Sequence, residues 1–171
     1  MTSSGLTISR IPAESDLVLR NLFEYYVHDM GEWFAVETKA DGSYSYDTSA
    51  VWKAGCDAYL ATVGDSIAGF AIVGSAAAWL GDSGAHEIRE FFILRRFRRC
   101  GWGGKLAGIV WNQRPGAWLV RVLAANSPAL AFWRAAIDEH SQGPYEEEER
   151  IVNGQSWRFL RFVCGGDRAN D

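Results

Sequence analysis

The fold of this chain is decided by residues 86–111, HEIREFFILRRFRRCGWGGKLAGIVW. Residues 88–94 end in consecutive apolar side chains, and a run that is apolar on both faces is typical of a central, buried strand. An arginine-rich segment and the sequence GWGG at 101–104 follow, after which Leu106, Ile109 and Val110 recur at helical spacing. A strand, a basic glycine-rich turn and a helix N-terminus together favour anion binding. Glycines let backbone N–H groups approach an oxyanion, and the helix dipole attracts negative charge.

The spacing of the glycines excludes two common phosphate-binding motifs. A Walker loop requires Ser or Thr after its Gly-Lys pair, and the dinucleotide motif requires a third glycine, but Leu106 occupies both positions. What remains is Arg98-x-x-Gly101-x-Gly103 directly after a hydrophobic strand. This pattern resembles the acyl-CoA-binding motif Gln/Arg-x-x-Gly-x-Gly/Ala of the GNAT superfamily of acyl-CoA N-acyltransferases.

A second motif lies downstream, where Asn126-x-x-Ala129-x-x-Phe132-Trp133 follows the next predicted strand. It is similar to the second GNAT signature, Asn-x-x-Ala-x-x-Phe-Tyr. Asparagine can meet a pantetheine or substrate amide with both a donor and an acceptor, and it is also a good helix N-cap. Trp133 departs from the family pattern, in which a tyrosine protonates the departing thiolate. Either another group such as Tyr145 or solvent supplies the proton, or no acid is needed.

The pattern of predicted elements indicates an α/β protein. We predict a strand over 6–11, a helix from about 13 with a second helical turn at 32–34, a loop over 38–48 and a hairpin of strands 58–63 and 67–74. The central strand and helix follow, then a strand over 117–123, a helix from 126, and strands 144–152 and 157–163 around an Asn-Gly turn. This is also the order of elements in GNAT domains. The resemblance implies a central mixed, mostly antiparallel, twisted sheet with splayed middle strands and helices on both faces.

Length and charge restrict the class of protein. At 171 residues the chain is predicted to form a single GNAT acetyltransferase domain over 1–164, with a frayed tail over 165–171. Its net charge of −4 argues against a nucleic-acid partner, whereas the basic cluster between residues 89 and 105 suits a small anionic cofactor.

Other sequence features concern location and partners. No run of 18 apolar residues is present, so we expect no membrane partner. Three separated cysteines and the absence of a leader pattern indicate reduced thiols and a cytoplasmic protein. Three scattered histidines lack metal-ligand spacing, so we expect no metal. The sequence does not reveal subunit number, and we keep a homodimer as one option.

The resemblance implies acetyl-CoA (coenzyme A) as cofactor and assigns its binding residue by residue. Backbone groups of two strand residues would pair with the pantetheine arm as an added strand would. The backbone amides of the glycine-rich turn would bind the pyrophosphate, and two residues of the second motif would flank the far side. These cofactor-binding residues are Phe91, Ile93, Arg98, Arg99, Gly101, Gly103, Gly104, Asn126 and Phe132. Arg95 and Arg96 are candidates for the adenosine phosphate.

The implied reaction is direct attack of an amine on the acetyl thioester. A lysine-like amine with a pKa of about 10.4 needs a general base at neutral pH, whereas an α-amine near pKa 7.8 needs one far less. Two carboxylates precede the turn. Glu87 matches the base of histone-type family members, and Glu90 lies on the opposite face of a regular strand. Both remain candidate catalytic residues.

The acceptor is expected to be a primary amine of a small molecule or peptide. Residues 25–34, YYVHDMGEWF, fall where GNAT domains build the acceptor wall, and aromatic rings interleaved with Asp29 and Glu32 suit a cation. We take Tyr25, His28 and Glu32 as candidate substrate-binding residues, and Tyr26 as a core residue. Alternatives are transfer of a longer acyl group, transfer to a hydroxyl, a non-catalytic acyl-CoA-binding or regulatory domain, and a generic nucleotide-phosphate binder.

Overall fold

The strands and helices follow the predicted order closely. The computed structural model describes residues 5–44 and 46–165. The strands are β1 (Leu6–Ile11), β2 (Asp57–Val63), β3 (Ser66–Ser75), β4 (His86–Ile93), β5 (Gly116–Leu123), β6 (Glu146–Val152) and β7 (Gln155–Cys164). The helices are α1 (Asp16–Met30), α2 (Ser49–Lys53), α3 (Ala77–Leu80), α4 (Trp102–Asn112) and α5 (Ser127–His140), with short 3-10 turns at Ala13–Ser15 and Arg95–Phe97.

Seven strands form a mixed sheet in the order β1-β2-β3-β4-β5-β7-β6. β1 pairs antiparallel with β2, and β7 pairs antiparallel with both β5 and β6. β4 and β5 are parallel, with His86, Glu87 and Ile88 opposite Trp118, Leu119 and Val120. The sheet is thus mostly antiparallel with one parallel pair, and helices flank it. This arrangement confirms the predicted fold class.

The backbone divides into two compact units, Met1–Ile72 with Glu90–Gly103, and Val73–Arg89 with Gly104–Asp171. In the first unit, α1 turns Leu19, Leu22, Phe23 and Val27 inward at helical spacing. They join a buried apolar cluster that includes Phe70 on β3 and Phe92 on β4. This cluster supports the half of β4 that leads into the glycine-rich turn. The single-domain prediction for 1–164 stays a prediction.

In the second unit, α4 and α5 each bury an apolar face, and the ring of Trp111 contacts Trp133 and Phe162 at 6.1 and 5.0 Å between centroids. The β6–β7 turn has left-handed backbone at Asn153 (φ 52°) and Gly154 (φ 77°). Two consecutive positive φ angles are what a tight two-residue hairpin requires, so the predicted Asn-Gly turn is confirmed.

The structure differs from the local predictions in two respects. Residues 31–34 form hydrogen-bonded turns, such as Phe34 N–H to Met30 O at 3.0 Å, instead of a second helical segment. The one-turn helices α2 and α3 were not predicted, because helices of five and four residues are too short to show a periodic pattern. Of the predicted frayed tail, residues 166–171 lie outside the described residues. Within the described ranges, no helix combines the length and apolar character that crossing a membrane demands.

Candidate functional site

The glycine-rich turn has the backbone geometry of an anion site. Arg98 is extended (φ −70°, ψ 156°), and Arg99 and Gly101 have left-handed backbone with φ of 59° and 78°. A positive φ is uncommon for a non-glycine residue such as Arg99. α4 begins at Trp102, so the predicted Gly103 and Gly104 lie in its first turn, where N–H groups have no partner within the helix. Alternating backbone conformations next to a helix N-terminus direct N–H groups towards one anion.

The side chains of two arginines near this turn bind other parts of the first unit. Arg98 donates from Nε to the carbonyl oxygen of Ile93 at 2.7 Å and from Nη2 to Asp29 at 2.5 Å. Arg95 donates to the other oxygen of Asp29 at 2.7 Å. Partial burial alone would raise the pKa of Asp29, but the hydrogen bonds from the two guanidinium groups lower it below 3.8. The last turn of α1 is thereby tied to the segment leading into the glycine-rich turn.

This arrangement changes how two sequence predictions are understood. Asp29, placed by its pattern among the cation-binding residues, already holds two protein cations. Arg95, a candidate for the adenosine phosphate, forms one of those ion pairs. The assignment of Arg98 to the cofactor therefore concerns its place in the backbone of the turn more than its guanidinium.

Glu87 is buried in an ion pair. Its side chain is 2% exposed, and its Oε1 accepts a hydrogen bond from Arg121 Nε at 2.5 Å. The Arg121 guanidinium in turn lies 4.4 Å from the centre of the Trp79 ring. Burial raises the pKa of Glu87 above 4.5, an effect that Arg121 partly offsets. A carboxylate held in this way can take up a proton only if its ion pair is disturbed.

Glu90 has a different environment within the first unit. Its Oε2 accepts a hydrogen bond from the Tyr26 hydroxyl at 2.6 Å, and its Oε1 lies 3.5 Å from the Tyr46 hydroxyl. Phe92, two positions along β4, also contacts the Tyr26 ring, at 5.8 Å between centroids. Positions two apart share one face of a strand, so Glu90 faces α1. The half-buried Glu90 carboxylate contacts neutral donors, whereas Glu87 contacts a cation.

The end of β4 is approached closely by β3. A Cβ atom at Gly69 would lie 2.0 Å from the carbonyl oxygen of Phe92 and 3.0 Å from the Cα of Ile93. Only glycine fits at this position without displacing backbone. The main chain around the predicted pantetheine-binding residues Phe91 and Ile93 is therefore packed directly against main chain on one side.

The three candidate acceptor residues lie at the solvent side of α1. Tyr25 is 60% exposed, and Glu32 is exposed in the turn that follows the helix. The Nδ1 atom of His28 is 2.9 Å from the Tyr44 hydroxyl. The structure brings His28 to Tyr44, but it describes no contact that joins the three predicted residues to one another.

A cavity of about 470 Å³ lies in the first unit. It is lined by Asp16, Arg20, Lys39, Tyr46, Asp47, Thr48 and Ser49. The two aspartates accept hydrogen bonds within the protein. Asp16 accepts from the Thr48 hydroxyl and the Trp52 indole N–H, and Asp47 accepts from the Ser49 N–H. Tyr46, which lines this cavity, also has its hydroxyl 3.5 Å from Glu90, a proximity that the sequence did not indicate.

The second motif lies in the second unit. Asn126 caps α5, because its Oδ1 accepts a hydrogen bond from the Ala129 N–H at 3.1 Å. This confirms the N-cap role and leaves the side-chain NH2 to act as a donor. Phe132 is half-buried and packs 4.9 Å from the Trp133 ring. Trp133 is 6% exposed and packs against Trp111. The indole at the position of the usual tyrosine is thus a core side chain.

Sequence reasoning missed the hydroxyl groups that contact Glu90. Tyr26 was assigned to the core from its helical spacing, and its ring does pack there, but its hydroxyl reaches β4, 64 positions along the chain. Tyr46 lay in a segment predicted as a loop. No local pattern identifies a tyrosine whose ring packs against the core and whose hydroxyl contacts a distant carboxylate. Among the described residues, no cluster of three or more His, Cys, Asp or Glu could hold a metal ion.

Several solved structures that are similar over the whole chain are described as acetyltransferases. No protein-family model and no curated protein matches the sequence. The ribosomal-protein-S18-alanine N-acetyltransferase from Escherichia coli aligns with a TM-score of 0.60 at 11% identity, over 98% of this chain and 99% of that chain. A Desulfovibrio desulfuricans protein assigned to the acetyltransferases of the GNAT family gives 0.63 at 13% identity, over 93% and 99%. The spermidine N-acetyltransferase from Vibrio cholerae, solved with CoA and spermine, gives 0.61 at 12%, over 93% and 95%.

The three structural alignments cover nearly the full length of each chain, although the sequence identities are only 11–13%. The mixed, mostly antiparallel sheet with flanking helices matches the fold of these neighbours. The chain therefore has the fold of the GNAT-family acetyltransferases.

Proposed function

We propose that this protein is an N-acetyltransferase that moves the acetyl group of acetyl-CoA directly to a primary amine of a small molecule or peptide. The observation that carries the proposal is the turn between β4 and α4, with left-handed backbone at Arg99 and Gly101 next to a helix N-terminus, in a chain with this fold. The neighbour solved with CoA and spermine supports both the cofactor and an amine acceptor. The separated cysteines favour the cytoplasm as its location.

The proposed cofactor contacts keep the residues assigned from the two motifs. Backbone amides of Arg99, Gly101, Gly103 and Gly104 would bind the pyrophosphate, because a helix N-terminus and neighbouring N–H groups favour an anion. Arg98 would stand at the first position of the motif. Phe91 and Ile93 would pair with the pantetheine arm, although the Ile93 carbonyl already accepts from Arg98. Asn126 would offer its side-chain NH2, and Phe132 an apolar surface. When bound, acetyl-CoA supplies an activated acetyl thioester.

Of the two candidate bases, we favour Glu90. A general base must accept a proton from the attacking amine, either directly or through one water molecule. Glu90 is half-buried and contacts two phenols, whereas the Glu87 carboxylate is 2% exposed and bound to Arg121. We assign Glu87 to the ion pair that joins β4 to β5. Tyr25, His28 and Glu32 remain proposed acceptor contacts.

No tyrosine acid stands at position 133, and the buried Trp133 indole cannot supply a proton. A free thiol has a pKa of about 8.5, so a CoA thiolate can depart without assistance near neutral pH. The chemistry that we propose therefore requires only the base and the positioning of the two reactants.

Ligand binding tests the cofactor assignment. At a concentration 100 times its dissociation constant, acetyl-CoA should stabilise the fold by about 2.7 kcal/mol, measured as a rise in melting temperature, and ATP or NAD should stabilise it less. Gly103→Glu should abolish this shift, because it places a carboxylate among the N–H groups of the turn. Gly5→Glu adds the same charge where nothing lies within 4 Å and should retain the shift. An unchanged shift in Gly103→Glu would contradict the proposed cradle.

An amine panel with detection of the released CoA thiol then tests turnover. Release of thiol with peptide and small-molecule amines supports the transferase, and mass spectrometry of the product identifies the transferred acyl group. The buried tryptophan at position 133 favours one alternative, a non-catalytic acyl-CoA-binding domain. That alternative predicts the same thermal shift with no thiol released by any amine.

A further inference from the structure

The hydrogen bond between Tyr26 and Glu90 is short and joins a helix to a strand. Tyr26 lies on α1 and Glu90 on β4, and the hydroxyl oxygen is 2.6 Å from Oε2. The Tyr26 ring packs edge-on against Phe23, Phe70 and Phe92, with centroids 5.6–5.8 Å apart. Packing against these three aromatic rings restricts the Tyr26 ring and therefore the direction of its hydroxyl. The carboxylate of Glu90 consequently has a fixed donor on one of its two oxygens.

The hydroxyl of Tyr26 stays protonated near neutral pH and therefore donates this hydrogen bond there. Burial, together with the neighbouring Glu90 carboxylate, raises the pKa of Tyr26 well above 10. A phenol that stays protonated and donates a hydrogen bond to a carboxylate favours the ionised form of that carboxylate. Tyr46 makes a longer contact, 3.5 Å, to Oε1, and its ring is 38% exposed and stacked on Phe23 at 4.0 Å.

The charged and titratable groups described around Glu90 come from four segments of the chain. Arg89 precedes it on β4, and the Arg98 guanidinium lies 5.3 Å from the centre of the Phe92 ring. α1 contributes the Tyr26 phenol, and the segment before α2 contributes the Tyr46 phenol. The Tyr26 hydroxyl is therefore a group that α1 places directly against the carboxylate, at 2.6 Å.

We propose that Tyr26 is a positioning residue that holds Glu90 ionised and oriented through Oε2, so that Oε1 receives the proton of the acceptor amine. This inference rests on the proposed function, in which Glu90 is the general base. The amine nitrogen loses a proton to Oε1 as it forms its bond to the acyl carbon, and the thioester C–S bond breaks to release the thiolate. Tyr26 itself transfers no proton.

Carbon-13 NMR titration of the glutamate side-chain carboxyls tests the inference without depending on activity. Glu90→Gln identifies the Glu90 signal by its loss. Tyr26→Phe keeps the ring and removes only the donor, so the pKa of Glu90 should rise by about one unit, which corresponds to the loss of one hydrogen bond to a charged group. Tyr59→Phe, which alters another buried tyrosine, is the matched control and should leave the signal unchanged.

The pH profile of kcat/KM provides the second readout. In Tyr26→Phe the acid limb should move to higher pH by the same amount as the carboxyl titration, while the rate at high pH stays within a few-fold of wild type. An unmoved Glu90 titration in a folded Tyr26→Phe protein would overturn the inference. A moved titration with an unmoved rate profile would instead overturn the assignment of Glu90 as base. If Tyr26→Phe does not fold, Tyr26→Leu, which also lacks a donor, replaces it in the same carboxyl titration, and an unmoved signal again overturns the inference.

Discussion

At the scale of single residues, two glutamates on one strand have opposite chemical surroundings. Glu87 is buried with a cation, and Glu90 is half-buried with two phenols. Removing one member of a buried ion pair leaves an uncompensated charge, whereas removing a general base affects mainly the rate. The same substitution should therefore change mainly the stability at position 87 and mainly the reaction rate at position 90.

Glu87→Gln should lower the free energy of unfolding by about 3 kcal/mol, because the Arg121 guanidinium would lose its counterion. Glu90→Gln should lower kcat by about 100-fold with a lysine-like acceptor, since the amine must then lose its proton without a base. Urea unfolding and thiol-release kinetics measure the two effects. Glu146→Gln, at a carboxylate that is 81% exposed, is the control and should change neither. A greater kcat loss in the folded Glu87→Gln protein would make Glu87 the base.

At the scale of elements, the close approach of β3 to the end of β4 is set by one missing Cβ. Residue 69 lies inside β3, where glycine is otherwise unfavourable because it weakens a strand. The benefit is a main-chain approach to Phe92 and Ile93 that a side chain would prevent. The geometry of β4 just before the glycine-rich turn thus depends on a position 24 residues upstream of Ile93 in sequence.

Gly69→Ala should destabilise the fold by about 1–3 kcal/mol, the usual cost of forcing an extra methyl group into packed structure. The added Cβ would otherwise lie 2.0 Å from the Phe92 carbonyl oxygen. It should also weaken acetyl-CoA binding, measured by isothermal titration calorimetry. Gly84→Ala, where the nearest atom is a flexible Asp82 oxygen at 3.4 Å, is the control. Unchanged stability and affinity in Gly69→Ala would show that β3 can move away without consequence.

At the scale of the whole molecule, the free energy of unfolding should depend on pH through the ionisation of Asp29. Its pKa is lowered in the folded state by Arg95 and Arg98, so its contribution is present above the unfolded pKa of about 3.9. That contribution is lost as the pH falls through the lowered pKa of the folded state. Glu87 has the opposite sign, because its pKa is raised and folding then favours its protonated form.

Asp29→Asn should lower the free energy of unfolding at pH 7 by about 1 kcal/mol, a modest value because Arg95 is largely exposed. The difference from wild type should shrink as the pH falls below about 4, because wild-type Asp29 then becomes protonated as well. Urea unfolding at a series of pH values measures both effects. Asp65→Asn removes an exposed turn carboxylate as a control. A difference that stays constant down to pH 3 would mean that the ion pairs of Asp29 do not stabilise the fold.

Local patterns in the sequence determined the order of strands and helices, the Asn-Gly hairpin, the N-cap at Asn126 and the position of the glycine-rich turn. These features depend on residues near one another in sequence, through periodicity, turn preference and capping. Only the tertiary structure decided which glutamate meets a cation and which meets a phenol, because those partners lie 34 and 64 positions away. It also decided that Asp29 binds Arg95 and Arg98, since hydrogen bonds and ion pairs act across space, whereas sequence patterns report only what is adjacent along the chain.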